Sequence, residues 1–66
     1  MKFTLEFDRE DDGRWIAEIP ELPGVMAYGH SKREAADKAT ALGLRVLADQ
    51  IEQGKLQVSG RELCFA

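Results

Sequence analysis

The sequence has little of what usually stabilises or anchors a small protein. Its 66 residues include one cysteine and one histidine, so no internal disulfide can form and no set of zinc ligands is available. No apolar run has the length of a bilayer span, and no charged start leads into an apolar signal segment. We therefore expect one soluble, cytoplasmic domain over residues 1–66 that holds no metal and no cofactor.

The small size of the chain limits its core. A domain of this length buries only about 60% of the surface that its unfolded chain exposes, so its stability is marginal. Domains of this kind use disulfides, metals or association to gain stability. Because the first two are excluded here, the sequence predicts a homo-oligomer, either a dimer or a tetramer.

Positive charge is also scarce. The formal net charge is −3, and residues 1–24 carry three basic and seven acidic side chains, whereas residues 25–66 carry six basic and five acidic ones. Nucleic-acid-binding proteins usually present a basic patch, because neutralising phosphates supplies much of their affinity. The acidic balance argues against direct binding to DNA or RNA and favours a basic protein partner.

One central stretch is specified in detail by local chemistry. Pro20, Pro23 and Gly24 lie within five residues, where the prolines fix φ twice and the glycine permits an unusual backbone angle, so a stiff turn is predicted. A short β-prone run follows the turn. Ser31, with Glu34 three residues later, then has the spacing of a capping box at the start of a helix.

The first nineteen residues are predicted to form a β-hairpin. Apolar residues alternate with polar ones in both arms, which is typical of half-buried strands, and a polar loop ending at Gly13 joins the arms. Register follows from keeping the apolar side chains on one face. The predicted register pairs Asp8 with Arg14, Phe7 with Trp15, Leu5 with Ala17 and Phe3 with Ile19.

The third strand, near residues 24–29, has two candidate inner faces. Either Val25 and Ala27 or Met26 and Tyr28 face the core, and we favour the first pair because a helix packs closely over small residues. This choice leaves Ile16, Met26 and Tyr28 together on the opposite face. Such a cluster indicates an oligomer or partner surface, although scattered apolar residues also occur on ordinary surfaces.

A long helix is predicted from Ser31 to about Gln53, ending at Gly54. Its apolar positions form one broad arc, which comprises Ala35, Ala36, Ala39, Leu42, Gly43, Val46, Leu47 and Ile51. Leu44 lies at the far edge of this arc, and we assign it to the same oligomer or partner surface as the sheet cluster. The arc is wider than one sheet face requires, which again indicates a second buried contact.

The end of the chain is predicted to return to the sheet. Residues 61–66 have the pattern of a short strand with Leu63 and Phe65 inward, and a strand that follows a helix crossover is usually parallel to its neighbour, here the first strand. The expected fold is α+β, with the order β-β-β-α-β and one long helix packed on one face of a mixed sheet.

No catalytic set is apparent, so we do not expect an enzyme. His30 and Cys64 have no partner in the sequence that would activate them. A compact acidic group stands at the hairpin loop, formed by Asp8, Glu10, Asp11 and Asp12. It lacks the ligand spacing of a calcium loop. Two interpretations remain open for this group, either a docking element for a basic partner or a merely solvated tip.

The order of these motifs resembles the HicB family of type II toxin–antitoxin antitoxins over about residues 3–53. The similarity is carried by Trp15-Ile16-Ala17, by the turn Pro20-Glu21-Leu22-Pro23-Gly24, and by Gly29-His30-Ser31 with Glu34-Ala35 opening a long helix. It implies a fold like a pared-down ribonuclease H sheet without the catalytic carboxylates. It also implies a homodimer or larger assembly that neutralises a small basic mRNA-cleaving toxin, HicA, by covering its active site.

The sequence departs from the family pattern in one way that bears on function. Family antitoxins commonly continue into a DNA-binding segment, and we expect no such C-terminal domain here. The leading hypothesis is a HicB-like binding module of the antitoxin class. The alternative is a stand-alone oligomeric domain that has no toxin partner and that binds a small ligand if it binds anything.

Overall fold

The computed structural model describes residues 2–56 and 64–65. Within these residues, short strands accompany a single long helix. The elements follow in the order β1 (Lys2–Phe3), β2 (Glu6–Arg9), β3 (Trp15–Glu18), β4 (Met26–Gly29), α1 (Lys32–Glu52) and β5 (Cys64–Phe65).

The strands form an antiparallel ladder and a short parallel pair. In the ladder β3 lies between β2 and β4, while β1 pairs in parallel with β5. The α+β class and the parallel return of the last strand beside the first are thus confirmed. The predicted first strand is interrupted at Thr4 and Leu5, which separates β1 from β2. The predicted inward orientation of Leu63 and Phe65 concerns side chains outside the described part of the chain.

The predicted hairpin register was wrong by two residues. Phe7 lies opposite Ala17 rather than Trp15, and Asp8 lies opposite Ile16 rather than Arg14. A shift by two leaves every side chain on its predicted face, so the apolar pattern cannot distinguish the two registers. The loop distinguishes them, because backbone bonds close it tightly. The N–H of Glu10 donates to the carbonyl of Arg14 at 2.8 Å, and Gly13 has a φ of 93°.

The turn between β3 and β4 has the stiffness that its sequence predicts. Three backbone hydrogen bonds of 2.9–3.1 Å connect Ile19, Leu22 and Val25. Gly24 adopts a φ of 85°, a conformation that favours glycine. Leu22 is buried within the turn, while both prolines are exposed. The turn therefore contributes one apolar side chain to the core and presents its prolines to solvent.

Glu21 connects this turn to the interruption in the first strand. Its carboxylate accepts hydrogen bonds from the Thr4 backbone N–H at 3.0 Å and from the Thr4 hydroxyl at 2.7 Å. These bonds stabilise the ionised form and lower the pKa of Glu21 below its ordinary value. The carboxylate thus satisfies a backbone donor at the point where the strand is broken.

The helix starts and stops as its sequence predicts. Ser31 is the N-cap, and its hydroxyl accepts a hydrogen bond from the Glu34 N–H at 3.0 Å. The Glu34 carboxylate bonds back to the His30 N–H at 2.9 Å, one residue earlier than in a standard capping box. This bond, followed by the charge of Lys38, lowers the pKa of Glu34. At the other end, Gly54 has a φ of 73° immediately after the C-cap Gln53.

The core lies between the helix and the inner face of the strands. One group of buried apolar side chains surrounds Ile19 and Leu47, and a second consists of Ala17, Ala35 and Ala39. Val25 is buried and Ala27 half-buried, whereas Met26 and Tyr28 are exposed, so the favoured inner face of β4 is confirmed. Ile51, which the sequence places on the same broad apolar arc, is 43% exposed.

A lysine covers the part of the core that contains Phe7 and Trp15. Phe7 and Trp15 are only half-buried, and the Lys32 ammonium lies 4.7 Å from the centroid of the Phe7 ring. A cation at this distance from an aromatic face is attracted by the ring quadrupole. The first residue of the helix therefore covers rings that pack against the alanine cluster of the core.

Gly29 allows the helix to begin directly against the strand that precedes it. A Cβ atom at Gly29 would lie 2.5 Å from the backbone nitrogen of Ala35 and 3.0 Å from its Cα. Backbone atoms in the first turn of a capped helix cannot move aside cheaply. The glycine is thus required by close approach.

We predict that Gly29→Ala lowers the free energy of unfolding by about 1–3 kcal/mol, the usual cost of overpacking. Urea denaturation followed by circular dichroism measures the change. An unaltered midpoint would show that the helix can shift without cost.

We also predict that the Glu21 bonds make stability depend on acidity. Because the pKa of Glu21 is lower in the folded than in the unfolded chain, its contribution is present above the unfolded pKa and is lost as pH falls through the folded pKa. Glu21→Gln should therefore make the free energy of unfolding less dependent on pH at the acid end, which urea denaturation at several pH values measures. An unchanged dependence on pH would contradict the assignment.

Candidate protein-binding face

The outer face of the antiparallel ladder carries a mixed acidic and apolar surface. Cross-strand partners in a sheet point to the same side, and the register places two rows of three side chains on the side away from the helix. We call these residues the acidic–apolar face. They are Glu6, Glu18 and Met26 in one row, and Asp8, Ile16 and Tyr28 in the other.

The apolar part of this face is accessible. Met26 and Tyr28 are each 41% exposed, and Ile16 is half-buried between Asp8 and Tyr28 in its row. The three side chains that the sequence grouped on one face of the sheet are thus brought together. Leu44, which was assigned to the same surface, lies instead on the helix, which packs against the other face.

Two carboxylates oppose each other in the first row. Glu6 is the direct cross-strand partner of Glu18, and both side chains are exposed. Like charges in directly opposite positions destabilise an antiparallel pair. The free protein therefore retains a repulsive pair beside the exposed Met26, and a cation placed there would relieve it.

Tyr28 is held by a chain of contacts that begins at the hairpin tip. The Arg14 guanidinium lies 4.5 Å from the centroid of the Tyr28 ring. Its Nε donates to the Asp12 carboxylate at 2.7 Å, and the Arg14 backbone N–H donates to the same carboxylate at 3.0 Å. These bonds lower the pKa of Asp12, the backbone bond most of all. The tip and the acidic–apolar face are thereby coupled through Arg14.

The four acidic residues singled out at the hairpin do not occupy one uniform environment. Asp12 is engaged with Arg14, and Asp8 belongs to the acidic–apolar face, with its carboxylate also accepting from the Arg9 N–H at 2.8 Å. Glu10 is half-buried and Asp11 is exposed. The tip therefore presents Asp11 and part of Glu10, while Asp8 extends the negative charge onto the sheet.

Sequence reasoning missed Glu6 and Glu18 as members of the candidate site. Both residues alternate with apolar residues in the sequence, and this alternation places both on the outer face of the sheet. The incorrect register, however, put Glu6 opposite Ile16 and left Glu18 opposite Thr4. The pairing of Glu6 with Glu18 can be recognised only from the correct register, which the closure of the hairpin loop determines.

The described residues offer little for other kinds of chemistry. Among them, no group of three or more His, Cys, Asp or Glu side chains is placed to hold a metal ion. Within the same residues, no helix is both long and apolar enough to cross a membrane.

Comparison with known proteins gives one partial similarity. The chain is 37% identical over 35 residues to UPF0150 protein Ta0767 of Thermoplasma acidophilum, and the alignment covers 53% of this chain and 51% of that protein. The chain thus spans about half the length of the curated relative it matches. No protein-family model matches the chain, and no solved structure does so either. The similarity points to a small uncharacterised family and describes no activity.

We predict that Glu18→Lys stabilises the free protein by about 0.2–1 kcal/mol, because it replaces a repulsive cross-strand pair by an attractive one. Glu18→Gln should give a smaller gain, since it only removes the repulsion. Urea denaturation at low and high salt measures both, and salt should reduce the difference between them. A loss of stability in both variants would show that Glu6 and Glu18 do not repel.

Proposed function

We propose that this chain is a HicB-like antitoxin-type binding module, which neutralises a small basic mRNA-cleaving toxin of the HicA kind by protein–protein contact. The observation that carries the proposal is the acidic–apolar face. Its three carboxylates lie on β2 and β3 beside Ile16, Met26 and Tyr28, and one pair of carboxylates is directly opposed. A basic protein surface with an adjoining apolar patch complements this arrangement.

Two further observations support the proposal. The motif order resembles that of HicB antitoxins, and the similarity to a UPF0150 protein over about half the chain is compatible with such a family. The arrangement of strands and helix has the order expected from the resemblance.

The charged and the apolar residues of this face are expected to have different roles in binding. Carboxylates steer a basic partner and raise the association rate, while buried apolar and aromatic side chains hold it once it has docked. Glu6 and Glu18 are therefore expected to act on the association rate, and Tyr28 and Met26 on the dissociation rate. A homo-oligomer, which the small size of the chain predicts, is compatible with this role if each copy keeps its acidic–apolar face available for the partner.

Co-expression tests the function. A small basic reading frame beside this gene, with a double-stranded-RNA-binding-like pattern, would encode the toxin. We expect its product to arrest growth and cleave mRNA when expressed alone, and co-expression of this chain to restore growth. If no such neighbour exists, or if growth is not restored, the stand-alone oligomeric domain becomes the better description.

We predict that the double variant Glu6→Gln, Glu18→Gln slows association with the purified toxin about tenfold or more at low salt. The variant Glu10→Gln, Asp11→Asn removes the same number of charges at the hairpin tip and is the matched control. Stopped-flow measurements at two salt concentrations should show the effect of the first variant disappearing in high salt. A larger decrease of the association rate in the control variant would place docking at the hairpin tip. Unchanged association rates in both variants would exclude electrostatic docking.

A further inference from the structure

The helix carries a second exposed apolar surface, on the side away from the sheet. Leu44 is 47% exposed and Ile51 is 43% exposed, while Ala48 is exposed and Ala41 half-buried. These four residues, which we call the helix stripe, follow the spacing of alternate a and d positions in a heptad. Such a spacing places them in one line along the helix.

The helix stripe is distinct from the side that packs on the strands. The buried positions of α1 are Ala35, Ala39, Gly43 and Leu47. At 3.6 residues per turn, the centre of the stripe lies roughly 140° around the helix from the centre of these positions. The core therefore does not account for Leu44 and Ile51, and the stripe is a separate surface.

The sizes of the stripe residues complement each other when the helix meets a copy of itself in reverse. Antiparallel pairing about Val46 sets Ala41 level with Ile51 of the second copy and Leu44 level with Ala48 of the second copy. Each layer then combines a small side chain with a large one, which allows close packing without a cavity. A parallel pairing would instead set Leu44 against itself and Ala48 against itself.

Over residues 38–52, one flank of the stripe is basic in its first half, with Lys38 and Arg45, and acidic in its second half, with Asp49 and Glu52. Reversing the second helix brings the basic half of one flank beside the acidic half of the other, with Lys38 and Glu52 of the second copy level to within about 3 Å. In a parallel pair this flank would meet the opposite flank of the second helix, so these contacts between unlike charges would not form.

The last turn of the helix gives independent support for this direction. It contains no basic residue, although Asp49 and Glu52 stand near the end where the helix dipole is negative and where cations are stabilising. Lys38 of a reversed second copy would supply a cation at that end.

We infer that a second copy of this chain packs its α1 antiparallel onto the helix stripe, forming a dimer. The inference does not rest on the proposed toxin, because the acidic–apolar face lies on the far side of the sheet and stays free in such a dimer. Each dimer then presents two acidic–apolar faces, directed away from the helix pair.

The dimer and its surface are tested by sedimentation at micromolar concentrations. We expect the wild-type chain to exceed the monomer mass of 7.4 kDa, and Leu44→Lys to weaken association at least about tenfold. Met26→Lys places the same charge on the acidic–apolar face and should leave association unchanged. A monomeric wild-type chain would overturn the inference, and so would association lost in Met26→Lys but kept in Leu44→Lys.

The direction of pairing is tested by exchanging charges. Lys38→Glu and Glu52→Lys should each weaken self-association, because each creates two like-charge contacts in its own dimer. An equimolar mixture should associate again, since every flank contact between the two variants joins opposite charges. Circular dichroism of each variant controls for helix stability, because Lys38 also lies 3.6 Å from Glu34 within its own chain. Folded variants that fail to associate on mixing would overturn the antiparallel arrangement.

Discussion

The close contact between the start of α1 and the strands is the constraint on which the remaining structure depends. Gly29 has no side chain to separate the strand from the helix backbone, and Ala17, Ala35 and Ala39 are fully buried where the two layers meet. Small residues bring the layers close enough for the larger side chains around Ile19 and Leu47 to fill the other end. A bulkier residue at this contact would tilt the helix away from the sheet.

This single-sided packing determines which surfaces are free to bind. One helix covers one face of the ladder, so the opposite face and the outer side of the helix are both left to solvent. The two surfaces differ in character, because carboxylates lie beside the apolar residues on the sheet while apolar residues alone form the line on the helix. A charged surface suits a partner of opposite charge, and a nearly neutral, self-complementary one suits another copy.

The sequence predicts well those features that neighbouring residues determine. The Ser31 cap, the Gly54 stop and the turn at Gly24 all depend on bonds within a few residues, and each is present in the structure. The outer position of Met26 and Tyr28 follows from alternation, which is also local. The broken first strand was missed, because the carboxylate of Glu21 that bonds to Thr4 is distant in sequence and gives no periodic signal.

The site was predicted only in part for a related reason. A two-residue register shift keeps every face intact but changes every cross-strand neighbour, so the grouping of Ile16 with Tyr28 could be anticipated and the pairing of Glu6 with Glu18 could not. The register was decided by the tight closure of the loop between Glu10 and Arg14. Binding surfaces on sheets are defined by such neighbours, which makes them harder to predict than the sheets themselves.

The opposed carboxylates also have a consequence for how this domain responds to selection. A residue pair that lowers the stability of the free chain is removed when a library is selected for stability alone, and it is retained when selection acts on binding. Comparing the two outcomes position by position would therefore separate the residues kept for a partner from those kept for the fold. Such a comparison needs only a cellular signal of the proposed neutralisation, so Glu6 and Glu18 would test the proposed binding surface before any partner has been purified.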